Sequence, residues 1–102
     1  MKMEFEWDEE KNMANIQKHG VAFEDAIYVF LDPLYCEIFD WEHSSEFEER
    51  WIAYGLVNRV LMVSFIEQND ITRVISARRA TRSEEEAYYY GYYGTNDFTG
   101  RG

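Results

Sequence analysis

Apolar residues recur along this chain at two spacings, one helical and one extended. Phe5-Glu6-Trp7 alternates over three positions, enough for a short strand. Asp8 follows as an N-cap type residue, with Glu9 and Glu10 suited to a first helical turn. The chain then reads as helix over 9–19, ending at His19-Gly20, where glycine can take the left-handed cap. In that helix Met13 and Ile16 are expected to face the core. Lys11, Asn15 and Lys18 (i, i+4, i+7) share the opposite face, with His19 at its edge. A second helix opens at Val21-Ala22-Phe23-Glu24. Phe23, Ala26, Ile27 and Phe30 form its apolar stripe, and Asp32-Pro33 stops it. Residues 34–39 return to an extended pattern, and 40–46 form a polar loop holding Trp41 and His43.

From 47 to 79 the pattern is a three-stranded meander. Strands over 50–57, 60–67 and 71–78 are separated by Asn58-Arg59 and by Gln68-Asn69-Asp70. A two-residue turn at 58–59 pairs Leu56 with Leu61 and Arg50 with Glu67. A turn at Asn69-Asp70 pairs Leu61 with Arg78. One face then collects Arg50, Ile52, Tyr54, Leu61, Val63, Phe65, Val74 and Arg78. The other collects Trp51, Ala53, Val57, Val60, Met62, Ile75 and Ala77. Both faces are mostly apolar, so helices or a partner should cover both, and a one-residue slip in either turn would exchange them. In this register Arg50 and Arg78 share a face at opposite ends of the sheet. Arg50 has Glu67 across from it, Arg78 has no acid, and Arg79 projects to the other face or turns with the chain.

Thr81 with Glu84 three residues later matches a capping box and predicts a last helix from 82. Arg82 is expected to pair along it with Glu85 or Glu86. The helix runs into Ala87-Tyr88-Tyr89-Tyr90. Gly91 and Gly94 interrupt the run, and 95–102 reads as a frayed tail. The tyrosines could stack on bases, pack on the sheet or mediate self-association; packing is the reading for Tyr88. These elements give an α+β fold in one domain over 1–94, with two N-terminal helices on a small antiparallel sheet and a C-terminal helix.

Composition narrows the chemistry. A chain of 102 residues holds one modest core, and its single cysteine, Cys36, excludes an intrachain disulfide. Cys36 has no thiol activator nearby and reads as a small buried hydrophobe. No run approaches eighteen apolar residues and no signal-peptide pattern opens the chain, so the default expectation is a soluble, cytoplasmic protein without membrane contact. Two histidines, one cysteine and many acids show no metal-ligand spacing, so neither a metal nor another cofactor is expected. The formal net charge is -10, and all of it falls in residues 1–51, which carry 14 acids against 4 bases; residues 52–102 carry 6 of each. That balance argues against indiscriminate binding to a phosphate backbone and makes a basic protein partner plausible through steering. Against it stand Arg78, Arg79 and Arg82 within five positions, at the end of an apolar strand. Guanidinium groups beside apolar surface suit bidentate binding of phosphate or carboxylate.

One ordered set of motifs spans the chain from about 5 to 88. It comprises Phe5-Glu6-Trp7-Asp8, Lys18-His19-Gly20-Val21-x-Phe23-Glu24-x-Ala26, Asp32-Pro33 and Glu49-Arg50-Trp51. Gly55 and Ile75-Ser76-Ala77-Arg78-Arg79-Ala80-Thr81-x-x-Glu84 complete it. At these spacings the chain resembles the BrnT family of toxins from bacterial type II toxin–antitoxin systems. The resemblance implies a RelE-like fold. It also implies an endoribonuclease of the mRNA interferase type that inhibits translation and is neutralised by a BrnA-type antitoxin in a hetero-oligomer. Such a complex would reach operator DNA only through the antitoxin. RNA cleavage without a metal needs a base, an acid and cations. Arg78 and Arg79 are the candidate phosphate clamp, with Arg50 and Lys18 contributing. His19 and Lys11 are the candidates for proton transfer, and Trp7 or Tyr88 for stacking on RNA bases. His19 could equally be a helix C-cap that favours the dipole. The acidic balance and the Tyr/Gly-rich end keep two other readings open. One is an antitoxin-binding module with little or no nuclease activity. The other is a nuclease that depends on the ribosome for its grip on RNA.

Overall fold

The computed structural model describes residues 3–91, so Tyr92, Tyr93, Gly94 and the expected tail at 95–102 lie outside the described residues. Strand β1 (Glu4–Glu6) leads into helix α1 (Glu9–His19). The short helix α2 (Phe23–Ala26) continues as a 3-10 segment, Ile27–Leu31. Strands β2 (Cys36–Phe39), β3 (Trp51–Val57), β4 (Arg59–Gln68) and β5 (Ile71–Arg79) follow, and helix α3 (Arg82–Tyr90) closes the described chain. The strands form one sheet in the order β1-β5-β4-β3-β2. β1 runs parallel to β5 and the other neighbours are antiparallel, so the fold is α+β with a mixed sheet.

The start and stop of α1 follow from its capping residues. The Asp8 carboxylate accepts from the Glu10 and Lys11 backbone N–H groups at 2.8 and 3.3 Å. Gly20 sits at φ 71° with its N–H on the Ile16 carbonyl. The inward face of the helix, however, is not the expected one. Met13 and Ile16 are 62% and 39% exposed, whereas Asn12 and Asn15 are buried. β1 pairs with only the first residues of β5, as far as Arg73, so further along the outward backbone groups of Ala77 have no strand beside them. Asn15 takes that place. Its Nδ2 donates to the Ala77 and Val21 carbonyls, each at 2.8 Å, and its Oδ1 accepts from the Ala77 N–H at 3.1 Å. Asn12 accepts from the Phe23 N–H at 2.8 Å and donates to Glu24 and Glu9. A carboxamide can satisfy a buried peptide group and a Met or Ile cannot, so the asparagines point inward.

The second helical stretch tightens after Ala26, which shifts its stripe. Val29, with Phe23 and Ala26, is fully buried, while Ile27 and Phe30 are half-buried at the margin. Phe30 still packs edge-on against Phe65, with ring centroids 5.1 Å apart. Val29 reaches the sheet at Gly55, where a Cβ would stand 2.7 Å from both the Val29 Cβ and its carbonyl oxygen. Gly55→Ala is therefore expected to destabilise the fold by about 1–3 kcal/mol, read from the midpoint of a urea titration. An unchanged midpoint would show that this contact relaxes freely.

The register corrects two expected pairings. Asn58 alone takes positive φ, 63°, at the β3–β4 turn, and Val57 pairs with Arg59, Leu56 with Val60 and Gly55 with Leu61. This is one residue away from the two-residue turn and exchanges the faces of β4. The β4–β5 turn is the expected one, with Asn69 and Asp70 both at positive φ and Gln68 opposite Ile71. A bulge then intervenes. Phe65 pairs with Val74 but Ser64 with Ser76, so Ile75 is the extra residue and Met62, not Leu61, lies opposite Arg78. The slip is driven by burial. It gathers Ala53, Leu61, Val63, Phe65, Val74 and Ala77 on the face that packs under Phe23, Ala26 and Val29. The opposite face carries Tyr54 and Val60, which cluster with Cys36 and Tyr88 of α3. Burial pushes the Cys36 thiol up to about 11, in keeping with an inert core side chain. Among the described residues no helix is long and apolar enough to cross a membrane.

Candidate functional site

Two concavities bring charged side chains together, one on each face of the sheet. The first is about 360 Å³ and lies on the face opposite α1. Its floor is Ile52, Tyr54, Met62, Ser64 and Ser76, and its rim is Arg50, Arg78, Glu84, Asp40, Glu42 and His43. The β5 bulge is what turns Ser76 and Arg78 onto this floor beside Ser64 and Met62. Arg50 and Arg78 thus share one cleft rather than standing at opposite ends of the sheet.

The partners of both arginines differ from those expected. Arg78 has an acid after all, from α3 rather than from across the sheet. Its two terminal nitrogens donate to the two oxygens of Glu84 at 2.9 and 3.0 Å. The capping box is the cause. Glu84 at the third helical position reaches back to the Thr81 N–H at 2.8 Å, and this aims its carboxylate at the end of β5. The Tyr54 hydroxyl also donates to Glu84, at 3.0 Å. Chiefly through its bonds from Arg78, against the opposing push of burial, the Glu84 carboxyl is held down to about 2. Arg50 does not meet Glu67, which pairs with Thr72 instead. Its Nε donates to Glu48 at 2.8 Å, because the one-residue slip at Asn58 moves Glu67 out of reach.

In the sequence His43 stands out only as a potential metal ligand that lacks the spacing for one. Here its Nδ1 lies 2.9 Å from Asp40 Oδ2, while Asp40 Oδ1 accepts from the His43 N–H at 3.2 Å. Asp40 is nearly buried, its side chain 9% exposed, and the imidazole is open. A neutral imidazole that donates from Nδ1 to this carboxylate leaves Nε2 facing away from Asp40 as the acceptor. The signal was present as Asp-x-x-His in the polar loop, though that spacing gains meaning only once the loop is seen to border the arginines. Trp41 stands between two rim residues, 83% exposed, with its ring edge-on to Phe39 at 4.6 Å.

The second concavity, about 490 Å³, lies on the α1 side. His19, Gly20, Val21, Asp25, Val57, Asn58, Arg59, Leu61 and Arg79 line it. Alternation along β5 therefore separates Arg78 from Arg79, and His19 accompanies Arg79 alone. In the sequence Arg59 shows only as a turn residue beside Asn58. Lys11 and Lys18 are exposed on α1 and line neither cleft. Trp7 packs edge-on to Phe23 and donates to Glu9 at 3.2 Å. Tyr88 is buried, its hydroxyl donating to Asp32 and its ring meeting Tyr89, so its packing role leaves no open face for a base. Asp32 also accepts from the Leu34 and Leu56 N–H groups at 2.9 and 2.7 Å. Burial pushes its carboxyl up, but these three bonds together bring it below the usual range. Arg82 pairs with Glu86 one turn on, at 3.6 Å and in full solvent. Among the described residues no group of three or more metal-ligating side chains comes together.

Comparison with known proteins places this arrangement. Residues 7–84 match the family model described as the ribonuclease toxin BrnT of type II toxin–antitoxin systems. Among solved structures the chain is similar to the crystal structure of the Brucella abortus ribonuclease toxin BrnT. The two are 29% identical with a TM-score of 0.59, over 79% of this chain and 100% of that one. A comparison with curated proteins gives no match. The family model covers both clefts and every strand of the sheet from β2 to β5, and the chain belongs to the BrnT ribonuclease-toxin family of type II toxin–antitoxin systems.

Proposed function

We propose that the chain cleaves RNA without a metal in the cleft bordered by His43, Arg50 and Arg78. The observation that carries this reading is the imidazole of His43, oriented by Asp40 beside two guanidinium groups. In the proposed step His43 Nε2 takes the proton of a ribose 2′-hydroxyl. The 2′-oxygen bonds to phosphorus, the bond from phosphorus to the 5′-oxygen breaks, that oxygen takes a proton from a solvent water, and the hydroxide so formed recovers the proton held on His43 Nε2. A 2′,3′-cyclic phosphate and a 5′-hydroxyl result. Arg78, immobilised by Glu84, and Arg50 offer donors to the phosphorane oxygens, where fixed positive charge counts most. Trp41 supplies a face on which a neighbouring base can stack.

Proton transfer by a positioned side chain contributes about 10²–10⁴-fold. His43→Ala is therefore expected to lower cleavage by the purified protein by at least about 10²-fold, and wild-type cleavage should persist in excess chelator. The corresponding assay in cells induces the chain without its antitoxin. Normal growth with intact RNA, from soluble protein, would remove the reading.

The type II family implies an antitoxin partner. We further propose that this partner is BrnA-type, neutralises the toxin in a hetero-oligomer, and carries the complex to its operator. One observation favours a quieter alternative, a module that mainly holds its antitoxin. Both arginines of the cleft are already in ion pairs, in a chain of formal net charge -10. Tight co-purification with the neighbouring gene's product, from a toxin that leaves RNA intact, would establish that alternative.

A further inference from the structure

Acids outnumber bases two to one in this chain, 20 against 10, and most of its arginines have found one. Among the described residues Arg50 pairs with Glu48, Arg73 with Glu6, Arg78 with Glu84 and Arg82 with Glu86. Two of the described arginine side chains have no carboxylate in ion-pair contact, Arg59 and Arg79. Both line the 490 Å³ cleft at the end of α1, and His19 lines it with them. The residues come from three separate elements: the last turn of α1, the first residue of β4 and the last residue of β5. Two exposed guanidinium groups facing one concavity, neither engaged by a carboxylate, offer forked donors to an anion. Asp25 also lines the cleft, but it forms no ion pair with either arginine.

We infer that this cleft is a second phosphate-binding site, which holds the RNA strand outside the cleavage cleft. The inference rests on RNA being the substrate, and it adds a site that the cleavage step does not use. Its shape suits a backbone phosphate. A Cβ at Gly20 would meet nothing within 4 Å, so the approach is open, and the forked donors of Arg59 and Arg79 match phosphate oxygens. The other class of anion, carboxylates of a protein partner, fits the lining less well. A protein interface is anchored by buried aromatic or large aliphatic side chains in contact with the partner. This cleft has no aromatic besides His19, and its Leu61 is already buried in the core. Arg79 also follows Arg78 directly, so the end of one strand serves both clefts.

The test uses the full-length protein and an RNA oligonucleotide of about twelve residues carrying 2′-O-methyl groups, which cannot be cleaved. Arg59→Ala and Arg79→Ala should each weaken binding about 5- to 10-fold. Each should also reduce the slope of log affinity against log salt by about 0.7, the value for one phosphate contact on a single strand. Arg79→Lys should keep most of the slope, and Arg82→Ala, a solvated arginine outside the cleft, should change nothing. Unchanged affinity and slope in both alanine variants, while wild type binds and cleaves RNA, would overturn this site and leave the cleavage reading standing. Loss of antitoxin binding with RNA binding intact would overturn it in favour of a carboxylate dock. A wild-type chain that neither binds nor cleaves RNA would remove both readings.

Discussion

Arg78→Ala is expected to lower RNA cleavage by about 10²–10³-fold and to relieve growth arrest to a matching degree, because it removes the one guanidinium that is both in the cleavage cleft and rigidly held. The rigidity is measurable in its partners. Glu84 takes two bonds from Arg78, one from Tyr54 and one from the Thr81 backbone. Arg78→Lys should be nearly as damaging, since an ammonium keeps the charge but loses the planar fork that spans the Glu84 carboxylate. Wild-type cleavage by either variant would make the Arg78–Glu84 pair structural and empty the cleft of its proposed role.

The same pair has a stability readout that separates folding from chemistry. Glu84 is held down from 4.5 to about 2, first by Arg78. A carboxyl depressed in the folded state contributes stability that is fully present above its unfolded value and lost as pH falls through its folded value. Wild type should therefore lose this contribution between about pH 4.5 and 2, by roughly 1–3 kcal/mol for a charge-assisted pair that is mostly buried. Arg78→Ala should lose most of it at neutral pH and show a flatter acid limb. Urea titrations across that range would settle the matter, and a variant that folds at pH 7 yet fails to cleave isolates the chemical role.

Asn15→Leu is expected to be the most destabilising single change in α1, by about 3 kcal/mol, although leucine is the better helix former. The reason lies in Ala77. Its N–H and C=O both bond to the Asn15 carboxamide, and the Val21 carbonyl accepts from the same nitrogen. Leucine fills the space but leaves these buried groups unpaired, and each costs the desolvation of a polar group. Met13→Gln and Ile16→Gln, on the exposed side of the helix, should change stability by less than about 0.5 kcal/mol. Equal midpoints for Asn15→Leu and wild type in urea would mean that water or a backbone shift replaces the amide. The amide tie also has a consequence for the site. It anchors β5 two residues before Arg79 and one before Arg78, so loosening it should blur both clefts.

Element existence was legible in the residues themselves. Asp8 and Gly20 bound α1, Thr81 with Glu84 starts α3, and Asn69-Asp70 sets a two-residue turn. Each is a local signal whose physics is complete within a few residues: a cap, a box, a pair of left-handed positions. The ordered motifs from Trp7 to Glu84 were equally readable and carried the family. What depended on the third dimension was which side each residue faces. Periodicity put Met13 and Ile16 inside and Asn15 out, and the structure reverses both. A helix that packs where a strand runs out must satisfy backbone groups before it buries hydrocarbon, and no pattern in α1 announces that β1 is three residues long. The one-residue turn at Asn58 and the bulge at Ile75 act in the same way. Each shifts a register by one, and a period of two turns that shift into an exchange of faces. Arg50 and Arg78 keep the shared face expected of them, the β2–β3 loop brings Asp40 and His43 to the same cleft, and Arg79 projects to the other face, where it meets His19 and Arg59. By itself, then, the chain determined its elements, their caps and its family. Only the packed sheet decided which arginines meet an acid, which meet each other, and where a phosphate could be held, because those are contacts between residues distant in sequence whose sign depends on a single step of register.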